Sequence, residues 1–417
     1  MSEHQRVVFT EEMKKTHTIL IPMMLPIHFR FFKKLLNIEG YKVNILETNA
    51  SSIVDLGLKY VHNDTCYPAL LTIGQLLDAV INQGYDKDKV ALLLMQTGGG
   101  CRASNYVSLL RKALFKAHLE HIPVLSFNLV GLEDNPGFTF DKKFIIKLAF
   151  AILYADLLMN LVNQIKPYEA VSGETEKVLE KSCNYIEEQF MNNKAYNSKF
   201  LKHHTKQILH WFNDIEVNKE ISKTKVGIVG EIYVKFAPLG NNNLQEFLNK
   251  EDCEVVIPGL MDFVLYTIDA GVEDYYLYGT GRLKALISKI FYKKIIKLQN
   301  MVINEYSFFP HFKPATPFEI TKEKSKNIIH PGTKMGEGWL LTGEMVELLE
   351  SGVNNIVCTQ PFGCLPNHIV GRGMLRKIKE IYPESNIVPI DFDASATKVN
   401  QENRLKLMLA SAQERQN

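Results

Sequence analysis

Three cysteines carry the chemistry that this sequence offers. Each stands in a Gly- or Pro-bearing loop that leads into a helical run. Cys364 lies in Gln360-Pro-Phe-Gly-Cys-Leu-Pro-Asn-His368, after the apolar run Asn355 to Cys358 and before helical spacing from Ile369 to Ile381. Cys66 lies in Asn63-Asp-Thr-Cys-Tyr-Pro-Ala69, ahead of a helical run from Leu70 to Asn82. Cys101 lies in Gln96-Thr-Gly-Gly-Gly-Cys-Arg-Ala-Ser-Asn-Tyr106, between a strand over Val90 to Met95 and a helix from Tyr106 to His118. A thiol beside backbone N–H groups at a helix start is favoured as thiolate, the form that binds metal. Together the three make a candidate metal site. Cys358 ends a strand and reads either as core or as a fourth ligand. Cys183, on a helical run, and Cys253, entering a strand, read as small inert hydrophobes.

The residues around these cysteines also have two readings each. The loop from Thr97 to Gly100 lacks both common phosphate-binding glycine patterns. Gly99 and Gly100, and Gly363 in the last loop, instead let the backbone approach a bulky group closely. Their N–H groups would then bond to the sulfurs of that group. Gly336-Glu-Gly338 has the same weak reading. His368 follows Cys364 by one helical turn and reads as a donor behind the ligands, or as a cap; no oxyanion architecture supports a Cys-His dyad. His203 and His204 read as a solvated helical face. Glu231, just after a strand, reads as a carboxylate in a cleft or as a helix cap.

Alternating strands and helices must position these loops. Thr18 to Ile21, Lys42 to Leu46, Val90 to Met95 and Pro123 to Phe127 read as strands separated by helices, which implies a parallel, doubly wound sheet. Phe140 to Ile165, Glu174 to Phe190 and Lys199 to Phe212 read as helices without strands between them. Lys219 to Lys225 is short, charged and a plausible boundary. A second alternation follows. Its strands are Val226 to Val229, Glu254 to Ile257, Asn355 to Cys358 and Ile387 to Ile390. Its helices cover Leu244 to Lys250, Leu260 to Val272 (with Gly271 and Gly279 as breaks), Leu283 to Ile303, Trp339 to Ser351, Ile369 to Ile381 and Val399 to Leu409. The expected fold is α/β: two Rossmann-like lobes, residues 1–219 and 220–417, with parallel sheets flanked by helices and the site in the cleft between them. The halves share a plan without a residue-level repeat.

Composition narrows the function classes. The 417 residues suffice for two full cores. A net charge of +2 gives no reason to expect nucleic acid or an anionic membrane. Six cysteines in this length are too few for a disulfide scaffold, and no C-x2-C pair occurs. The polar stretch Met1 to Lys15 lacks the apolar segment of a signal peptide. The most apolar window, Phe144 to Val162, contains Lys147, Asp156 and Asn160 and reads as a buried helix rather than a span. These features lead to a cytoplasmic protein whose thiols stay reduced.

The three cysteine motifs, with Gly230-Glu-Ile-Tyr233 and Gly336-Glu-Gly-Trp339, resemble the 2-hydroxyacyl-CoA dehydratase component D-like family. The resemblance is nearest to the dehydratase-like region of the large fused acyl-CoA dehydratase activases, and it extends to the double-cubane cluster proteins. It spans about Thr18 to Leu409. It implies an iron–sulfur cluster, [4Fe–4S] or of the larger double-cubane type, held by Cys66, Cys101 and Cys364, with Cys358 as the fourth candidate. It also implies a separate ATP-hydrolysing [4Fe–4S] activator that delivers electrons. The expected function is a low-potential redox protein that reduces a small molecule or passes electrons on. A 2-hydroxyacyl-CoA dehydratase subunit acting on an acyl-CoA, and a cluster-binding scaffold without turnover, are the alternatives. No phosphate-loop pattern of the fused relatives occurs here, and no CoA-binding residues are evident. Association with further copies of the chain stays open.

Overall fold

The computed structural model describes residues 6–62, 64–97, 100–127, 135–218 and 220–414. Gly99, the Asn63 and Gly98 of the cysteine loops, and Lys219 at the expected boundary fall outside them. The first lobe runs Glu11–Thr16 (α1), Thr18–Pro22 (β1), Pro26–Ile38 (α2), Lys42–Leu46 (β2), Ser51–Tyr60 (α3), Tyr67–Asn82 (α4), Val90–Met95 (β3), Tyr106–Lys116 (α5) and Val124–Phe127 (β4). Three helices follow: Lys142–Ile165 (α6), Glu174–Met191 (α7) and Ser198–Asn213 (α8). The second lobe opens with Thr224–Gly230 (β5), Ile232–Phe236 (α9), Pro238–Asn241 (α10), Leu244–Lys250 (α11) and Cys253–Val256 (β6). It continues through Leu260–Tyr278 (α12), Arg282–Glu305 (α13), Phe318–Ser325 (α14) and Trp339–Glu350 (α15). Asn355–Pro361 (β7), Leu375–Ile381 (α16), Asn386–Phe392 (β8) and Lys398–Glu414 (α17) close it.

Each lobe holds a four-stranded sheet, ordered β2-β1-β3-β4 and β6-β5-β7-β8. All strand pairings in the sheets are parallel: Thr18 lies beside Lys42 and Val90, Leu92 beside Val124, Val226 beside Val255, and Asn355 beside Asn386. The central strands are continuous apolar runs because helices cover both faces. In both sheets the chain starts on an inner strand, steps to one edge, then crosses to the other side. This creates a switch point between β1 and β3 and another between β5 and β7, where ligands bind outside the carboxyl ends of strands. The loop with Cys101 leaves β3, Glu231 leaves β5, and the loop with Cys364 leaves β7. The two-lobe α/β expectation holds.

The apolar window near residue 150 is α6, which is long and apolar enough to cross a membrane. Here it is a core helix, burying Phe144, Phe150, Leu157, Leu158 and Leu161 against both lobes. Its polar residues have partners: Lys147 Nζ donates to Glu39 at 2.7 Å, and the Tyr306 hydroxyl donates to Asn160 Oδ1 at 2.8 Å. Asp156 ties the lobes together. It accepts from the Leu260 and Met261 amides at the start of α12, 2.8 Å each, and lies 2.8 Å from His28 Nε2 on α2.

Several sequence-based boundaries change. Gly271 does not break α12; a Cβ there would lie 3.0 Å from Ser288 Oγ, so the glycine lets α12 and α13 pack closely. β7 runs on through Pro361, at the strand end, where a missing N–H costs little. The expected helix from Ile369 starts later, at Leu375, after a π turn over Asn367–Gly371 and a 3₁₀ turn over Arg372–Met374. α9, α10 and α14 have too few residues to show a period. His204 is buried, not solvated: its Nδ1 lies 2.6 Å from the Tyr185 hydroxyl, and burial lowers its pKa to about 4.

Candidate functional site

The loop cysteines reach one region from three directions. Cys66 caps the start of α4 with extended backbone, and Pro68 in the first turn of that helix fixes its direction. Cys101 precedes a 3₁₀ turn over Arg102–Asn105, and its Sγ accepts from the Ala103 N–H at 3.5 Å. Cys364 follows β7 and precedes the π turn. Two contacts join the first and last loops across the lobes. The Tyr67 N–H donates to the Phe362 carbonyl at 3.0 Å, and Gly363, with φ +73°, leaves no room for a Cβ against Cys66. At Gly100 a Cβ would meet the Met335 side chain at 2.7 Å, so the Cys101 loop packs on the loop that holds Glu337.

Two carboxylates complete the group. Glu231 caps α9, its Oε2 accepting from the Val234 N–H at 2.9 Å. Glu337 reaches the same helix start, its Oε1 accepting from the Ile232 N–H at 2.9 Å. Both are buried. Burial and the neighbouring Glu337 push Glu231 up to about 8, and burial raises Glu337 as well. The charges of both carboxylates act on Cys101 and Cys364, and that of Glu231 on Cys66. Cys101 in turn feels Cys66, and Cys364 feels Cys101.

The thiols are not poised as thiolates in the protein alone. Burial raises Cys66, lifts Cys101 to about 11, and raises Cys364 well beyond the usual thiol range. Opposing influences are present: the Ala103 N–H bonds to Cys101 Sγ, the backbone of Ala69 and Asn367 lies beside the other two sulfurs, Tyr106 Oη lies 2.9 Å from Cys66 Sγ, and the Arg102 guanidinium is near. They do not outweigh desolvation and two acidic neighbours. Helices follow Cys66 and Cys101 as the sequence suggests, whereas the one after Cys364 is delayed to Leu375; the thiolate preference does not hold, because both lobes close over the sulfurs. A positively charged occupant would restore it.

The remaining candidates separate from this group. Cys358 is buried in the second lobe's core; a Cβ on Gly371 would lie 3.3 Å from its Sγ, and Asn367 is its polar neighbour. Its charge neighbours are Asp391, Arg372 and Glu344 rather than the other cysteines, and burial lifts it to about 12. Cys183 and Cys253 lie in the other core as expected. His368 is exposed and bonds to the Gln360 amide, while its N–H donates to the Cys364 carbonyl at 3.2 Å. It thus serves the loop, not a sulfur.

Sequence reasoning missed Glu337, Tyr106 and Tyr266. Tyr266 and Tyr233 have buried hydroxyls without a hydrogen-bond partner among the described residues. Tyr266 is close enough to feel Glu337 and Cys101, and Tyr233 to feel Glu231. Behind Glu337 lies a cavity of about 10 Å³, room for a single water, bounded also by the buried Lys235–Glu344 pair. Among the described residues, no three His, Cys, Asp or Glu side chains stand close enough to hold one metal ion. No protein-family model matches the chain, and no curated protein does either.

Proposed function

We propose that the chain is a cytoplasmic iron–sulfur redox protein of the 2-hydroxyacyl-CoA dehydratase component D-like type. In this reading Cys66, Cys101 and Cys364 hold the cluster, and a separate ATP-driven activator supplies low-potential electrons. The observation that carries it is the convergence of three loop thiols from both lobes, Cys66 and Cys364 buried and Cys101 half-buried, on one pair of buried carboxylates. The donor set fits such a group. Three thiols from separate loops are a donor set of the kind that iron–sulfur clusters use. Cys101 Sγ already receives the Ala103 N–H, Cys66 Sγ pairs with the Tyr106 hydroxyl, and two tyrosyl hydroxyls await a partner.

When bound, the cluster would supply one-electron chemistry and an iron left open by having only three protein ligands. The chain's own residues do the rest. Tyr106 orients the Cys66 sulfur and the Ala103 amide the Cys101 sulfur, and both offset charge there. The two lobes exclude water. Glu231 and Glu337 each keep one oxygen on the α9 amides, and the second oxygen of Glu231 retains a proton near neutral pH. That proton is available to a reduced small molecule.

The test is anaerobic purification followed by iron and sulfide counting. Cys66→Ala, Cys101→Ala and Cys364→Ala are each expected to lose most iron and the brown absorbance. Cys183→Ala and Cys358→Ala are expected to keep both. Full iron in all three loop variants would end this reading.

A further inference from the structure

The hairpin of α12 and α13 turns a large apolar face to solvent. On α13, Leu283, Leu286, Ile287, Ile290 and Phe291 recur at three- and four-residue spacing and are exposed. They form one stripe, opposite the buried Ala285 and Ile296. Tyr276, Leu277 and Tyr278 extend it from the end of α12. These eight side chains are 41% to 71% exposed. At roughly 100 Å² each they offer about 800 Å², the share of one partner in a standard interface and more than the largest apolar patch of a typical monomer.

We infer that this hairpin is the interface of a homodimer, two hairpins packing across a twofold axis as a four-helix bundle. The stripe is a seam on one helix, and a twofold axis near Ile287 sets Leu283 of one copy against Phe291 of the other. The contact is self-complementary and closed. The charges around it give the interface a signature. Arg282, Lys284, Lys289 and Lys293 flank the stripe, and α13 has no acidic residue before Glu305. Glu273 and Asp274 on α12 are already engaged by Lys322 and Lys334. Like charges therefore meet beside the apolar seam, and association tightens as salt screens them. An anionic lipid surface, the other occupant suited to a basic apolar face, shows the opposite trend. The hairpin end is fastened to the loop with Glu337: Lys334 Nζ sits 5.4 Å from the Tyr278 ring centroid, and Leu277 packs on Gly332. Pairing thus braces one wall of the cysteine site.

Sedimentation velocity of the purified full chain over a concentration series tests this. A monomer–dimer equilibrium is expected, with a dissociation constant that falls as sodium chloride rises. Leu286→Asp with Ile290→Asp is expected to weaken it at least about a hundredfold, roughly tenfold per buried anchor, with circular dichroism unchanged. Leu286→Ala with Ile290→Ala, which disturbs the fold less, is expected to shift it in the same direction. A wild-type chain that stays monomeric, or a dimer that survives both double variants, overturns the inference. So does association that loosens with salt, or co-sedimentation with phosphatidylserine vesicles by a chain that is monomeric without them.

Discussion

Gly363 stands directly against Cys66 across the junction of the lobes. A Cβ on Gly363 would lie 3.0 Å from Cys66 Cα and 3.1 Å from the Thr65 carbonyl oxygen. The backbone there has φ +73°, which strains any side chain. Gly363→Ala therefore incurs both strain and a clash against backbone, together about 1–3 kcal/mol. The neighbouring Tyr67–Phe362 hydrogen bond bridges the same two loops. Hydrogen exchange at the Tyr67 amide is expected to quicken about tenfold or more in this variant. Gly352→Ala is the control: it has φ +88° but open space around it, so the Tyr67 amide keeps its rate. Equal exchange in both variants would show that the loops do not depend on this contact.

Asp262 gives the fold a pH dependence of its own. It is buried and accepts from Gln299 Nε2 at 3.0 Å. Burial, with Glu344 and Asp156 nearby, pushes its pKa up to about 8. The unfolded chain releases this proton near pH 4. Between about pH 4 and 8 the folded state holds one proton more, so stability is fully present below that window and falls through it. Asp262→Asn keeps the acceptor for Gln299 and does not titrate. Its stability relative to wild type is expected to rise with pH, by roughly 5 kcal/mol between about pH 4 and pH 9. Guanidinium unfolding on both sides of the window reads this; a pH-independent difference would count against it.

Strands and cysteine loops were legible because their signals are local. Val90–Met95 is one apolar run, and the prolines and glycines around Cys66, Cys101 and Cys364 mark loops before helices. Glu337 was not legible. Nothing near it in the chain says that a carboxylate in a glycine-flanked loop will meet Glu231 at the start of α9. The thiol protonation was misread for a related reason. A helix start is visible in sequence, whereas closure by the opposite lobe is not. The run from Ile369 kept its apolar spacing, yet Gly371 sits beside Cys358 and the π turn displaces the helix start. His204 looked solvated because its burial comes from Tyr185 and Phe200, not from its own neighbours' polarity.

Lys235 and Glu344 form a buried pair whose worth is asymmetric. Lys235 Nζ donates to both Glu344 oxygens at 2.9 Å, and both side chains are almost fully covered. Burial raises the Glu344 pKa despite the ammonium beside it. Lys235→Met leaves that carboxylate without its partner and is expected to cost about 3–5 kcal/mol. Replacing both by methionine removes the unmatched charge, and the double variant is expected to recover most of the loss. Urea unfolding of the three variants measures this. Additive losses would mean that the pair does not act as a unit.

The cysteine site also sets how hard the cluster would be to reduce. Burial disfavours the added negative charge of a reduced state, and Glu231 and Glu337 add to that opposition when ionised. The Arg102 guanidinium lies near Cys66, and Lys235 is neutralised by Glu344. The potential is therefore expected to lie low, below what an ordinary donor reaches. ATP hydrolysis in a separate activator can supply the missing driving force by changing that protein's conformation. A net charge of +2 steers a partner weakly, so recognition rests on shape and local contacts. The exposed Met335, Phe362, Leu365 and Ile369 surround the cysteine loops and suit such a contact. Mixing the oxidised protein with a reduced activator of the actin/hexokinase-like fold, with and without MgATP, tests this through cluster absorbance or EPR. Reduction is expected only with nucleotide, and Leu365→Asp is expected to slow it about tenfold or more while iron content stays constant. Equal reduction without nucleotide would leave a conventional electron carrier and refute the ATP-gated step.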